Sequence, residues 1–405
     1  MRALVDCNNF FVSCERVFNA LLTDRPVVVL SNNDGCIIAR SQEAKAIGIP
    51  MGAPLFQVQD LVRLHNVICC SSNFALYGDM SQRVMNILSR FTPDLEVYSI
   101  DEAFLEIDSL AVAEEIRRVI LQWTGLPVSL GIASTKTLAK VASSCAKKGN
   151  GIYYLEHPQP ILEALPVEDV WGIGRKTADF LHRQNLHTAW ELASQNDLWI
   201  KKNLTVRGLR MAYELRGIPS LSLDELPSDQ KSILRSRSFG RPVSTLEELL
   251  EAIAAYTTVA AEEVRLLGKK VGCLDVFLHT HPHKAGDYYS NSAHFTFPEP
   301  TAYTPTLITA AKESLRSIYK PHLLYKKTGI IFSHLVPETS FQTDFFAPPS
   351  SKNSPLMDVL DRINRTYGDK TLRFAAEGIA QPWKMKSEGR SPRYTTNWHE
   401  LLTVR

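Results

Sequence analysis

Ala3-Leu4-Val5-Asp6-Cys7-Asn8-Asn9-Phe10-Phe11 opens with a short apolar run that ends on an acid. Further on, Val97-Tyr98-Ser99-Ile100-Asp101-Glu102-Ala103-Phe104 sets two more acids between apolar segments. An acid at a strand end is ordinarily a turn or cap residue. Asp224-Glu225, in a polar connection, shows how little such a pair says alone. Asp101-Glu102 differs because a hydrophobic strand flanks it on each side. Ionised carboxylates are costly to bury unless a cation sits with them. Three carboxylates meeting at strand ends fit two divalent metals about 4 Å apart, as in phosphoryl transfer. Mg²⁺ suits such sparse, all-oxygen ligation.

Outward from these acids, the first stretch to about Leu155 reads as an α/β layer structure. Its strands are Ala3–Val5, Val27–Leu30, Val67–Cys70, Glu96–Tyr98, Ala103–Ile107 and Val128–Ile132. Its helices are Asn73–Phe91, Val112–Trp123 and Lys136–Ala146. From Pro158 to about Leu226 strand signals vanish and Gly and Pro break several short helical patterns. A polar, Pro-containing link follows. Then Ile233–Phe239, Leu246–Leu267, Val271–His279, Ser290–Phe297, Leu307–Tyr319 and Thr328–Leu335 give the order β-α-β-β-α-β. Beyond Pro337 the run Ala347 to Pro355 has linker composition. A short amphipathic helix (Leu356, Leu360, Ile363) and a basic tail finish the chain.

With 405 residues, three or four compact units are expected. No apolar run approaches the roughly 20 residues of a membrane helix, and the acid at position 6 interrupts any signal-peptide pattern. Membrane residence is therefore not expected. The seven cysteines are odd in number and contain no CxxC pair, which disfavours zinc and favours reduced thiols in the cytoplasm. A net charge of only +2 requires any basic footprint to be local.

Asp6-Cys7-Asn8-Asn9-Phe10-Phe11 and Ser99-Ile100-Asp101-Glu102-Ala103 resemble the two metal-binding motifs of Y-family DNA polymerases. Ser31-Asn32-Asn33-Asp34-Gly35-Cys36, with Ala39-Arg40 and Glu43-Ala44-Lys45, is similar to the fingers segment of the polymerase V branch. Gly131-Ile132-Ala133, Lys136, Lys140 and Ala146-Lys147-Lys148 match the last palm motif, and similarity continues to Ser391-Pro392-Arg393-Tyr394-Thr395-Thr396.

The resemblance implies an α+β multidomain, right-hand fold. A ferredoxin-like palm would span 1–9 and 68–157, small fingers 10–67 and an all-α helix-hairpin-helix thumb 158–226. A linker (227–231), a βαββαβ little finger (232–336) and a flexible C-terminal extension (337–405) would follow. It also implies an error-prone translesion DNA polymerase of the SOS damage response and mutagenesis. Catalysis would fall to Asp6, Asp101 and Glu102, with two Mg²⁺ ions held by these residues and the Cys7 carbonyl. One ion would activate the primer 3′-hydroxyl and the other would carry the triphosphate. Main-chain N–H groups near Asn9 and Phe10, with Lys45 and Lys147, would bind the dNTP. Phe11 stands where the family places an aromatic gate against a 2′-hydroxyl. Lys45 stands where many relatives have Arg and lacks its bidentate fork. On the residues alone, Lys136 and Lys140 share one helix face, as solubilising charges or as part of the site.

Val170-Trp171-Gly172-Ile173-Gly174-Arg175-Lys176 resembles a helix-hairpin-helix turn, whose glycines let backbone N–H groups approach a phosphate. Arg235-Ser236-Arg237-Ser238-Phe239-Gly240-Arg241 would set Arg235, Arg237 and Arg241 on one strand face for phosphate contact, or guard an edge strand with charge. Gln342-Thr343-Asp344-Phe345-Phe346 fits a peptide that docks on the bacterial sliding clamp through Gln342, Phe345 and Phe346. The implied partners are primer-template DNA, dNTP, a UmuD′-type accessory dimer, a RecA filament and the clamp. A nucleotidyl cyclase also pairs carboxylates with two metals, but has no use for the Gly172-Ile173-Gly174 turn. A non-catalytic repair scaffold would not need all three acids together with Phe11.

Overall fold

Alternation along β1 (Arg2–Cys7) divides the first unit into two layers, because successive strand side chains point to opposite faces. The computed structural model describes residues 1–223, 229–282, 288–338, 354–368 and 370–402. They fall in two units, Met1–Pro227 with Glu388–Arg405, and Ser228–Ser387.

In the first unit β1 is followed by α1 (Phe10–Phe18), β2 (Val27–Leu30), β3 (Ile37–Arg40), α2 (Gln42–Ala46), α3 (Gln59–Leu64) and β4 (Ile68–Ser71). Next come α4 (Phe74–Leu88), β5 (Leu95–Val97), β6 (Glu102–Glu106), α5 (Leu110–Thr124), β7 (Val128–Ala133), α6 (Lys136–Ala146) and β8 (Ile152–Tyr154). The main sheet has the order β5-β6-β1-β7-β8, with β1 antiparallel to both neighbours. Ala3, Val5 and Cys7 join a core with Val12 of α1, Leu76 and Met80 of α4 and Ile116 of α5. Leu4 and Phe104 belong to a second core with Leu138 and Ala142 of α6. The alternation thus delivers Asp6, next in step after Leu4, to the face that α6 covers.

Two expectations for this unit are corrected. β4 was assigned to the palm, but it pairs in parallel with β2 in a separate sheet of order β3-β2-β4. That sheet buries its own core of Val28, Leu30, Ile37, Ile49 and Val58, so a boundary at 67/68 cuts through it. Residues 10–18, placed in the fingers, form a helix whose Phe10, Val12 and Cys14 pack in the main-sheet core. The all-helical expectation for 158–226 agrees with α7 (Gln159–Ala164), α8 (Arg175–Arg183), α9 (Ala189–Ala193) and α10 (Asp197–Leu215). Of the expected linker, 227–231, residues 227 and 228 lie outside the described residues.

The second unit is β9 (Ile233–Val243), α11 (Leu246–Leu266), β10 (Lys269–Thr280), β11 (Ser290–Thr301), α12 (Thr304–Ile318) and β12 (Tyr325–Pro337). This is the expected β-α-β-β-α-β order. Its antiparallel sheet runs β11-β10-β12-β9. The extension from 337 onward was expected to be flexible, yet α13 (Ser354–Tyr367) and the turns after it are built into the two units. Asp361 forms an ion pair with Arg265 at 2.7 Å, both side chains nearly buried. Trp383 is 3% exposed and meets Phe239 and Tyr256 edge-on. The short amphipathic helix expected around Leu356, Leu360 and Ile363 is present as α13, and one ion pair and one ring anchor the segment. Residues 388–402 belong to the first unit.

α6 lies unusually close to β7. A Cβ on Gly131 would stand 2.1 Å from the Ser143 nitrogen and 2.3 Å from the Ala139 carbonyl oxygen, both backbone atoms. Neither can give way without moving the helix. Lys136 on α6 reaches the sheet as well: its ammonium is 2.6 Å from Glu96 and 5.0 Å from the Phe104 ring, and the residue is 4% exposed. Lys136 is therefore a buried structural charge.

Two outcomes follow from this packing. Gly131→Ala should destabilise the first unit by about 3 kcal/mol, the upper end for overpacking a core, read as a lower urea midpoint of its tryptophan fluorescence. Lys136→Met should cost about 3–5 kcal/mol, because Glu96 loses its ammonium while staying buried. Adding Glu96→Leu should recover most of that loss, and a double variant no better than the single would contradict the pairing.

Candidate active site at the strand ends

Asp6 is the last residue but one of β1 and Glu102 opens β6, and the antiparallel register places them directly opposite each other. Asp101 is the residue before β6, and its carbonyl accepts from the Cys7 N–H at 2.9 Å. Two backbone constraints thus bring all three expected acids to one strand end. They line one cavity of 390 Å³ with Cys7, Asn9, Phe10, Phe11, Lys45 and Lys147. All nine residues expected at the metal and nucleotide sites are brought together there.

The carboxylates are held by cations and a hydroxyl. Lys147 Nζ donates to Asp6 Oδ2 at 2.5 Å, Lys140 Nζ to Glu102 at 3.0 and 3.2 Å, and Ser99 Oγ to Asp101 Oδ1 at 2.8 Å. Lys140 also lies over the rings of Tyr98 and Trp171, at 4.6 and 5.3 Å. Its face-sharing with Lys136 was legible, and both lysines turn out to serve the sheet rather than solvent. Burial pushes the Asp6 carboxyl up to about 7; Lys147 pulls it back, and the neighbouring Glu102 adds to the rise. Burial raises the Cys7 thiol strongly, and the charges of Asp6 and Asp101 add to it.

Among the described residues, no three Asp, Glu, His or Cys side chains already close around a common point. The donor set nevertheless fits a hard divalent cation. It is all oxygen, and a carboxyl with a pKa near 7 beside a second acid is short of positive charge. Lys140 and Lys147 supply that charge here.

Opposite the acids the cavity is basic. Asn9 takes the left-handed conformation (φ 48°) and caps α1, so the free N–H groups of the first turn open at the cavity. Its Oδ1 accepts from Lys45 Nζ at 2.7 Å. Burial lowers the Lys45 pKa, and the neighbouring charges of Arg40 and Lys147 lower it further. Arg40 was not assigned a role from sequence although it lines the cavity, with Ile38, Ala39 and Met51. The signal was present: Ile37 to Arg40 alternates as a strand, and alternation would have put Ile38 and Arg40 on one side.

Phe11 is half-buried beside the acids. Its ring stacks on Tyr77 at 4.6 Å and meets Phe74 edge-on at 5.8 Å. The Phe10 side chain is 3% exposed and packs in the main-sheet core.

The expected DNA contacts divide. Gly172 has φ 94°, Gly174 caps α8, and Arg175 and Lys176 stand exposed at the start of that helix. A helix N-terminus thus stands beside two exposed cations. On β9, Arg235 and Arg241 form ion pairs with Glu263 and Glu248 of α11, while Arg237 is exposed. Ile233 and Phe239, of the same strand parity as Arg235 and Arg237, are buried, so this is the helix-facing side. Ser236 and Ser238 take the other face, in register with Gly329 and Lys327. The three arginines thus share one strand parity, as expected, but that side faces α11, which engages Arg235 and Arg241. Gln342, Phe345 and Phe346 lie outside the described residues.

The sequence profile of the impB/mucB/samB family matches residues 5–144, that of its C-terminal domain 230–345, and a domain of unknown function 354–404. Protein UmuC of Salmonella typhimurium is 41% identical and protein ImpB of the same species 38%, each match covering all of both chains. DNA polymerase IV 1 of Bacillus subtilis is 28% identical over 92% of both chains. Among solved structures, a Y-family DNA polymerase chimera of Dbh and Dpo4 superposes with a TM-score of 0.68 at 20% identity, covering 83% of this chain and 99% of that one. An insertion ternary complex of Dbh DNA polymerase gives 0.55 over the same shares. The two-layer palm, the acid cluster and the full-length match to UmuC agree, and the chain belongs to the impB/mucB/samB family of UmuC-type Y-family DNA polymerases.

Proposed function

We infer that the cavity between the acids and Lys45 is the polymerising centre of an error-prone, translesion, DNA-directed DNA polymerase acting in the DNA damage response. One observation carries this reading: Asp6, Asp101 and Glu102 share a cavity with a basic wall of Arg40, Lys45 and Lys147 and an aromatic ring, Phe11. A triphosphate needs the basic wall, a metal the acids, and a deoxyribose the ring.

Each residue has a part in this reading. Lys45, Lys147 and the first-turn N–H groups near Asn9 and Phe10 neutralise and orient the triphosphate. Asp6, Asp101, Glu102 and the Cys7 carbonyl hold divalent metal, for which two Mg²⁺ ions are the fitting choice. Bound there, divalent cations supply the Lewis acidity that activates a 3′-hydroxyl and stabilises departing pyrophosphate. Lys140, gripped by two rings, fixes the Glu102 carboxylate. Phe11 blocks a 2′-hydroxyl by bulk. Gly172, Gly174, Arg175 and Lys176 hold a DNA phosphate, and Arg237 is the member of the β9 arginines placed to do the same.

By likeness to UmuC, the enzyme works in the cytoplasm with a UmuD′-type dimer and a RecA filament in SOS mutagenesis. Gln342, Phe345 and Phe346 form a tether to the sliding clamp, which raises the local concentration of the enzyme at a primer end. Among the described residues no helix is long and apolar enough to cross a membrane.

Primer extension past an abasic site in Mg²⁺ tests the central reading. Asp101→Asn should lower nucleotide addition at least about a hundredfold, a loss of several kcal/mol of transition-state stabilisation, while fluorescence anisotropy still shows primer-template binding. Retention of more than about a tenth of the rate would remove Asp101 from the centre. Phe11→Ala should raise ribonucleotide over deoxyribonucleotide insertion on one template, and an unchanged ratio would return Phe11 to the core.

A further inference from the structure

Residues 388–394 run along the first unit and meet the two helices that frame Phe11. The Gly389 N–H donates to Ser71 Oγ at 2.9 Å, the Ser71 N–H donates to the Gly389 carbonyl at 3.0 Å, and Arg390 forms a parallel bridge with Ser71. The tail thereby adds a short strand segment beyond β4. Tyr394 then stacks on Phe18 of α1 at 4.9 Å.

Ser391 stands between these anchors and touches both helices. Its Oγ donates to Glu15 Oε1 at 3.0 Å, and Glu15 is on α1. Its carbonyl and Oγ accept from Asn73 Nδ2 at 3.0 and 2.9 Å, and Asn73 caps α4 through Leu76. Glu15 Oε1 also accepts from the Tyr77 hydroxyl at 2.7 Å, and the Tyr77 ring carries Phe11. Glu15, Asn73 and Tyr77 are 3%, 1% and 0% exposed. Burying a carboxylate, an amide and a phenol together is costly unless each is paired. Ser391 supplies the last donor to the carboxylate and an acceptor to the amide.

We propose that this C-terminal segment is a strap that sets the Phe11 ring, with Ser391 as a positioning residue for sugar selection. The proposal rests on the reading of Phe11 as the sugar gate. Phe11 sits on α1 and Tyr77 on α4, so the distance between the two helices sets how far the ring stands into the cavity. Ser391 joins both helices through one hydroxyl. The segment responsible lies in the domain of unknown function and, in sequence, nearly 400 residues from the ring it holds.

The test compares ribonucleotide with deoxyribonucleotide insertion by the full-length chain, each pair of rates taken on one preparation so that general damage cancels. Ser391→Ala should raise the ribo-to-deoxy ratio about fivefold, the net effect of one typical hydrogen bond lost. A chain ending at Ser387 should raise it at least as much, and Ser391→Thr, which keeps the hydroxyl, should stay near wild type. Phe11→Ala serves as the control. If it raises the ratio while Ser391→Ala and the shortened chain leave it alone, the strap is overturned and the gate stands. If Phe11→Ala leaves the ratio unchanged, the gate fails and takes the strap with it. A Ser391→Thr ratio as high as that of Ser391→Ala would also overturn the assignment to the hydroxyl.

Discussion

A row of ammonium groups on α6 meeting a row of carboxylates on the sheet is the constraint on which the first unit depends. Lys136 and Lys140 lie four positions apart, and Lys147 lies eleven from Lys136 just past the helix end, so all three fall within one stripe at 3.6 residues per turn. They meet Glu96, Glu102 and Asp6 in turn. The row requires α6 to lie close on β7, and Gly131 permits that closeness. The deepest pair is structural, whereas the outer two hold Glu102 and Asp6 in place at the cavity. Fold and site are therefore one arrangement seen at two depths.

The basic wall completes the opposite side by a different route. Asn9, in a conformation that Asn tolerates better than most residues, turns the chain from β1 into α1. The turn leaves helix N–H groups beside the acids and carries Phe11 to the cavity. A strand, a turn and a helix of nine residues bring Asp6, Asn9 and Phe11 to one cavity within six positions.

The acids were legible because they stand where apolar residues belong, and the regular elements because their periods repeat. What stayed hidden depends on partners remote in sequence. The helical spacing of Lys136 and Lys140 gave a stripe without saying what it faces, and nothing local announces Glu96 or Glu102 opposite. For β9 the parity was readable: Ile233 and Phe239, in step with Arg235 and Arg237, already marked the core side. The tail reads as a flexible extension because the contacts that anchor it, through Trp383, Asp361 and Ser391, have no period. The palm-to-fingers boundary failed for a related reason: a parallel pairing such as β2 with β4 leaves no turn signal between its strands.

Cys7 adds a consequence of another kind. Its side chain belongs to the main-sheet core, next in sequence to Asp6, in a chain of a damage-response polymerase family. Oxidation proceeds through the thiolate and needs access. Burial to 2% exposure and the flanking negative charges deny it both, since they hold the proton on sulfur. Cys14, one helix away, is buried and shifted in the same direction. The fold thereby holds two cysteines of the main-sheet core as protonated, inaccessible thiols, the form least open to oxidation.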